Sequence, residues 1–160
     1  LKSKGRFMKV TDLFRKEYII EDLVAKSKKD VLAELSAIFL QSDMKVNHDA
    51  VVNVLLEREK LGSTGIGDGI AIPHGKHSDM GDLIVSFGRS KDGVDFNAMD
   101  GKPVHLFFLL MAPESTTGQH LKVLAKISRM LKDSEFRGNL IEAKTKDDLY
   151  RLIAERDDAC

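Results

Sequence analysis

An α/β fold built on one central sheet is what this sequence predicts, and three observations predict it. Apolar residues recur at helical spacing in several separate stretches. Short apolar runs bounded by glycine or proline stand between those stretches. One run, Val104 to Met111, is almost wholly apolar and reads as a strand buried on both faces. Helices and strands interspersed in this way pack as a sheet covered by helices. A length of 160 residues suits a single domain, placed here over 9–157. Residues 1–8 read as an N-terminal extension or an expression remnant, with Met8 as the expected native start.

The first helix carries Val31, Leu32, Leu35, Ile38 and Phe39 behind Ser27, whose hydroxyl suits an N-cap. Asn47 is a second N-cap. Behind it Val51, Val54, Leu55 and Leu61 mark an amphipathic helix that stops at Gly62. A glycine-rich connection, 62–69, leads into the short strand Ile70-Ala71-Ile72, which Pro73 should terminate. Leu83 to Phe87 reads as a strand. Lys91-Asp92-Gly93 and Asp100-Gly101-Lys102-Pro103 read as turns. Leu121, Leu124, Ala125, Ser128 and Leu131 predict the buried face of a third helix. Thr145 with Asp148 opens the last one, with Leu149, Leu152 and Ile153 inside.

Composition narrows the function. Lys plus Arg and Asp plus Glu both number 25, so the formal net charge is zero, against the basic excess of a general nucleic-acid binder. Cys160 is the only cysteine, so no intramolecular disulfide can form. The longest apolar run, Leu106 to Ala112, falls far short of the roughly 18 residues a membrane helix needs. No apolar signal core follows the basic N-terminus. A cytoplasmic protein is expected, with no nucleic-acid partner and no membrane insertion.

The stretch from Gly62 to His77 carries the chemistry. Glycines let backbone N–H groups approach an anion, and Ser63 and Thr64 add hydroxyl donors, so Ser63, Thr64 and Gly65 are candidate phosphate-binding residues. A Walker A loop would need a Gly-Lys-Ser/Thr ending, and a dinucleotide loop would follow a strand and open a helix. Neither pattern is present, so a nucleotide is not indicated. His74 follows Pro73 at the end of the apolar triplet. A histidine of ordinary pKa near 6.5 is about three quarters neutral at pH 7, and neutral imidazole is nucleophilic at nitrogen.

The run Glu59-Lys60-Leu61-Gly62-Ser63-Thr64-Gly65-Ile66-Gly67-Asp68-Gly69-Ile70-Ala71-Ile72-Pro73-His74-Gly75 resembles the signature of the type-2 enzyme IIA domains of the bacterial phosphoenolpyruvate-dependent phosphotransferase system. These serve its mannitol, fructose and nitrogen-regulatory branches. The resemblance extends from about Thr11 to Glu155 and includes Asp100 to Val104 and His120 to Leu124. It implies a mixed sheet with helices on both faces. It implies His74 as the phosphorylated histidine of a phosphotransferase, Arg58 as the active-site arginine, and His120 as the second active-site histidine. The implied phosphoryl donor is the phosphocarrier HPr or its nitrogen-branch homologue. The implied acceptor is a IIB domain, or regulatory target proteins take its place. No cofactor is implied.

The stretch through Gly75-Lys76 looks most like the nitrogen-regulatory members, with a fructose- or mannitol-type transport carrier as the alternative. Relatives often carry Asn where this chain has Asp68. A carboxylate facing a phosphohistidine would repel it, and Lys76 and His77 would partly offset that charge. Two other classes compete: a non-catalytic interaction module, and a metal protein using His74, His77, His105, His120 and His48. No His-Glu-x-x-His motif supports the second, and no metal site is expected.

Overall fold

In this computed structural model the described residues are 9–40 and 46–160, so the expected extension over 1–8 lies outside them. In chain order the elements are β1 (Phe14–Ile20), α1 (Lys28–Ala37), α2 (His48–Lys60), β2 (Gly65–Gly67), β3 (Ile70–Ala71) and β4 (His74–His77). Then come β5 (Ile84–Val94), β6 (Val104–Pro113), α3 (Gln119–Met130), α4 (Ser134–Glu142) and α5 (Lys146–Ala159). The predicted caps form. Ser27 accepts from the Asp30 amide, Asn47 from Ala50, and Thr145 from Asp148, each satisfying an amide that the helix itself leaves unpaired.

The sheet has six strands in the order β1-β5-β6-β3-β2, with β4 also on β6. β1 runs parallel to β5, and β3 and β4 run parallel to β6. β5 with β6 and β2 with β3 are antiparallel, so the sheet is mixed. Side chains of β6 alternate between two cores, as a pleated strand requires. Leu106, Phe108, Leu110 and Ala112 pack with Val123, Ile127, Leu140, Leu149 and Ile153 from α3, α4 and α5. Phe107, Leu109 and Met111 pack with Leu32, Leu35, Val51 and Leu55 from α1 and α2. Each large side chain withdrawn this way stabilises the fold by about 1.5–3 kcal/mol. Edge-to-face aromatic pairs lie on both faces, Phe87 with Phe108 and Phe96 with Phe107. β6 is thus the strand buried on both faces that its sequence predicts, and helices cover both sides of the sheet.

Several local expectations are corrected. Pro73 interrupts strand pairing without ending it, because the chain resumes as β4 along the same neighbour. The glycine-rich connection contains β2, which pairs with β3 around the two-residue turn Asp68-Gly69. Both turn residues have positive φ, +57° and +77°, the geometry of a tight hairpin turn. Lys91-Asp92-Gly93 lies inside β5, where the register shifts between Arg89 and Val94 and a bulge absorbs the extra residues. The buried face of α3 is Val123, Lys126, Ile127 and Met130, while Leu121 and Ala125 are exposed. Lys126 turns inward because the Asp157 carboxylate of α5 waits there, at 2.6 Å.

Candidate functional site

The broken strand positions His74. β3 pairs Ile70 with Leu106 and Ala71 with Phe107, and β4 then pairs His74 with Leu110 through His77 with Pro113. Ile72 and Pro73 bridge the two pieces. Pro73 has no N–H to give, but its carbonyl accepts from the Leu110 amide at 2.9 Å. Released from the ladder, the Ile72 carbonyl accepts from His74 Nδ1 at 2.9 Å. A carbonyl can only accept, so Nδ1 carries the proton and the lone pair of the neutral ring lies on Nε2. Gly75 lets α2 approach β4, since a Cβ there would stand 2.7 Å from Val54 Cγ1.

His74, Arg58 and His120 line one cavity of about 410 Å³. Val54, Leu61 and Leu110 form its apolar wall, and Glu57 and Lys76 its charged rim. Arg58 occupies the last turn of α2, where the helix dipole favours a cation. Its Nη1 donates to the Gly62 carbonyl at 2.9 Å, and its remaining N–H groups bond no described residue. His120 is the second residue of α3. Its Nδ1 is fully buried and has no hydrogen-bond partner among the described residues. An unpartnered buried nitrogen costs folding free energy, about 1–3 kcal/mol by the usual measure.

Both imidazoles are held neutral. Burial pushes the His74 pKa below the ordinary histidine value and Arg58 adds to this, while the Ile72 hydrogen bond and the Glu59 charge oppose it. Burial also lowers His120, with Lys76 and His74 contributing. A partly buried neutral imidazole with a free Nε2 beside a guanidinium can attack an electrophile whose oxygens the arginine holds.

Residues 12–156 match the family described as phosphoenolpyruvate-dependent sugar phosphotransferase system, EIIA 2. The chain belongs to that EIIA family. A nitrogen regulatory protein of Bradyrhizobium diazoefficiens is 42% identical over 147 residues, 92% of this chain and 95% of that one. The fructose-specific EIIABC component of Bacillus subtilis is 37% identical over 150 residues, 94% of this chain but 24% of the relative's length. The crystal structure of nitrogen regulatory protein IIA-Ntr from Neisseria meningitidis superposes with a TM-score of 0.84 at 35% identity, covering 90% of this chain and 98% of that one.

Three candidate phosphate-binding residues of this EIIA domain stand outside the cavity lining. The Ser63 hydroxyl donates to the Phe96 carbonyl at 2.6 Å and accepts from the Gly65 amide at 3.0 Å. The Thr64 amide donates to Glu59 at 3.2 Å, and the Thr64 hydroxyl makes a short bond to the same carboxylate. These donors hold the loop. Asp68 sits in the β2–β3 turn, where Asn and Asp both tolerate positive φ, and its amide donates to Asp100 at 3.1 Å. Its carboxylate is not part of the lining.

The other histidines of the EIIA domain are engaged elsewhere. His48 meets Ser36 and Ala33, and His105 donates to the Ser90 carbonyl. Nδ1 of His77 accepts from the Asp79 amide. Among the described residues no three His, Cys, Asp or Glu side chains gather into a group that could hold a metal. None of the described helices is long and apolar enough to cross a membrane. Sequence reasoning placed Lys76 near the site but missed the apolar wall, which Val54 of α2, Leu61 at its C-cap and Leu110 of β6 form only once the helix lies over the sheet.

Proposed function

We propose that this chain is a phosphohistidine carrier of the phosphotransferase system, taking a phosphoryl group on His74 Nε2 from phospho-HPr or its nitrogen-branch homologue. One observation carries the reading: the Ile72 carbonyl holds the Nδ1 proton, which leaves the Nε2 lone pair in a cavity shared with Arg58 and His120. In the transfer, Nε2 attacks phosphorus in line and the donor's histidine nitrogen departs with the bonding pair. Charge concentrates on the equatorial phosphoryl oxygens. Arg58 presents its unbonded N–H groups to those oxygens. His120 adds a donor: with Nδ1 buried and unpartnered, its proton belongs on Nε2. The two imidazoles then work in opposite tautomers, one a nucleophile and the other a donor.

The 42% identity to a nitrogen regulatory protein favours a regulatory carrier, whose phosphorylation state sets its binding to target proteins. The 37% identity to a fructose-specific component supports a second reading, donation to a IIB cysteine. Both readings place the protein in the cytoplasm.

The test is incubation with phosphoenolpyruvate, enzyme I and HPr, followed by intact mass and acid treatment. An acid-labile gain of one phosphate, abolished in His74→Ala with the fold intact by circular dichroism, is the expected outcome. Labelling that survives in His74→Ala would overturn the assignment, and adding a fructose IIB domain separates the two branches.

A further inference from the structure

Glu59 is 7% exposed, a carboxylate drawn into the protein at the end of α2 next to Arg58. Two of its bonds go to one residue, Thr64, through the amide at 3.2 Å and the hydroxyl. A third comes from Lys28 Nζ at 3.0 Å, and that ammonium also lies 4.7 Å from the Phe96 ring centroid. Buried carboxylates are expensive unless paired and fully bonded, so an all-hydrocarbon contact here would serve stability as well. What the carboxylate supplies beyond stability is the direction of the groups it holds.

Two hydrogen-bond chains lead from Glu59 to the site, the first from the Thr64 its carboxylate holds and the second from its own backbone carbonyl. Along the first, the Thr64 carbonyl accepts from the Ile72 amide at 3.1 Å, and the Ile72 carbonyl accepts from His74 Nδ1 at 2.9 Å. Along the second, the backbone carbonyl of Glu59 accepts from the Gly62 amide at 3.1 Å, and the Gly62 carbonyl accepts from Arg58 Nη1 at 2.9 Å. We propose that Glu59 is the positioning residue of the phosphoryl site, its carboxylate aligning the His74 ring through Thr64 and Ile72, while its backbone carbonyl closes the turn at Gly62 that Arg58 bonds. The proposal rests on the phosphocarrier reading above. Glu59 touches neither phosphate nor donor. It fixes the tautomer and angle of the nucleophile relative to the guanidinium, and its charge opposes the effect of Arg58 on the His74 ring.

The experiment pairs Glu59→Gln with Thr64→Val and Thr64→Ser. Each is read by cooperative unfolding, by the rate of phosphoryl uptake from phospho-HPr, and by ¹⁵N NMR of the His74 tautomer in the unphosphorylated protein. Glu59→Gln keeps the shape but loses the charge and one acceptor. Its uptake should slow by roughly tenfold to a hundredfold with the donor KM unchanged, the size of effect a small misplacement of a reacting group produces. Its Nδ1–H tautomer should lose population. Thr64→Val should move both readouts in the same direction, and Thr64→Ser, which keeps hydroxyl and amide, should restore both.

Should Glu59→Gln fail to fold, the Thr64 pair decides alone. A folded Glu59→Gln or Thr64→Val in which either the rate or the tautomer stays at the wild-type value overturns the proposal. If the wild-type protein itself takes up no phosphate, the carrier reading fails. The tautomer populations, which need no donor, then decide the positioning role by themselves.

Discussion

Two clusters of ionisable side chains in this protein, one buried and one partly buried, are finished in opposite ways. Asp157 on α5 is saturated: Oδ1 takes Lys126 Nζ at 2.6 Å and the Val10 amide at 3.1 Å, and Oδ2 takes the Thr11 amide at 3.0 Å and its hydroxyl at 3.2 Å. Burial pushes that carboxyl up, but the bonds from Lys126, Thr11 and Val10 outweigh it and hold its pKa below the usual carboxylate value. The cavity over His74 is left open. Nε2 of His74, most of the Arg58 fork and Nδ1 of His120 bond no described residue. Both clusters draw polar atoms out of water, which is unfavourable unless each finds a partner. The saturated cluster has all its partners within the chain and joins α3, α5 and the segment before β1. The open one lacks partners, and under the proposed function a phosphoryl group would meet His74 Nε2 and the Arg58 fork, while the buried His120 Nδ1 stays without one.

The largest expected effect separates stability from transfer. Asp157→Ala leaves Lys126 buried without its carboxylate and should cost about 3–5 kcal/mol in urea unfolding, a large part of an ordinary domain's total. Phosphoryl uptake per folded molecule should not change. A folded variant with slowed uptake would show that the saturated cluster also serves the site, and the contrast would break. The pH dependence has a definite sign. The folded pKa lies below the unfolded one, so the contribution is complete above about pH 3.9 and is lost as pH falls toward the folded value.

Arg58→Lys should show the reverse pattern. One charge replaces a planar fork, so uptake should slow by roughly a hundredfold, as when one oriented donor is lost from a charge-stabilising site. Stability should fall by no more than about 1 kcal/mol, the net worth of the bond to Gly62. Stopped-flow transfer from phospho-HPr checks the first and urea unfolding the second. An unchanged transfer rate would remove Arg58 from the mechanism.

A smaller effect sharpens the open side. Gly75→Ala puts a methyl 2.7 Å from Val54 Cγ1, which must shift at a cost of about 1–3 kcal/mol. Because Val54 walls the cavity, uptake should slow as well, and Val54→Ala in the same chain should recover part of both losses. If the double variant is no better than Gly75→Ala, the close approach of α2 to β4 is not what the glycine provides.

How much of this was legible in the sequence follows from where each signal resides. Ser27, Asn47 and Thr145 cap helices through their own side chains, so local chemistry revealed those ends. β6 was legible because both its faces are core. β1 was not, since Arg15, Lys16 and Glu17 are exposed on an edge strand and interrupt the apolar alternation. β2 and β4 are glycine- and histidine-rich, and only pairing with β3 and β6 makes them strands. α4 buries only Phe136 and Leu140, too few for a periodic pattern. The inward face of α3 was misread because Lys126 counts as polar until Asp157 is known to meet it, while Leu121 looks like core and stands 60% exposed beside His120. At the site, the Pro-His pair and its flanks were readable as a motif. That Ser63 and Thr64 bond the protein itself was not, because their partners Phe96 and Glu59 are set by the tertiary fold.

The smallest expected effect concerns the electrostatics of the open cluster. The proposed nucleophile is neutral His74, whose pKa lies below the ordinary value chiefly through burial and secondarily through Arg58. Uptake should therefore hold its rate as pH falls past about 6.5, where an unperturbed histidine would already be half protonated. Removing the cation in Arg58→Gln should raise the His74 pKa and move the acid limb to higher pH. Removing the opposing charge in Glu59→Gln should move it lower. The same depression makes the folded state lose stability as pH drops below the ordinary histidine value, because the unfolded chain takes up the proton first. An NMR titration of the His74 ring in the three proteins measures the ordering directly. Finding the wild-type value at or above that of Arg58→Gln would mean that the cavity solvates the imidazolium after all, and the open cluster would then differ from the saturated one in bonding but not in charge.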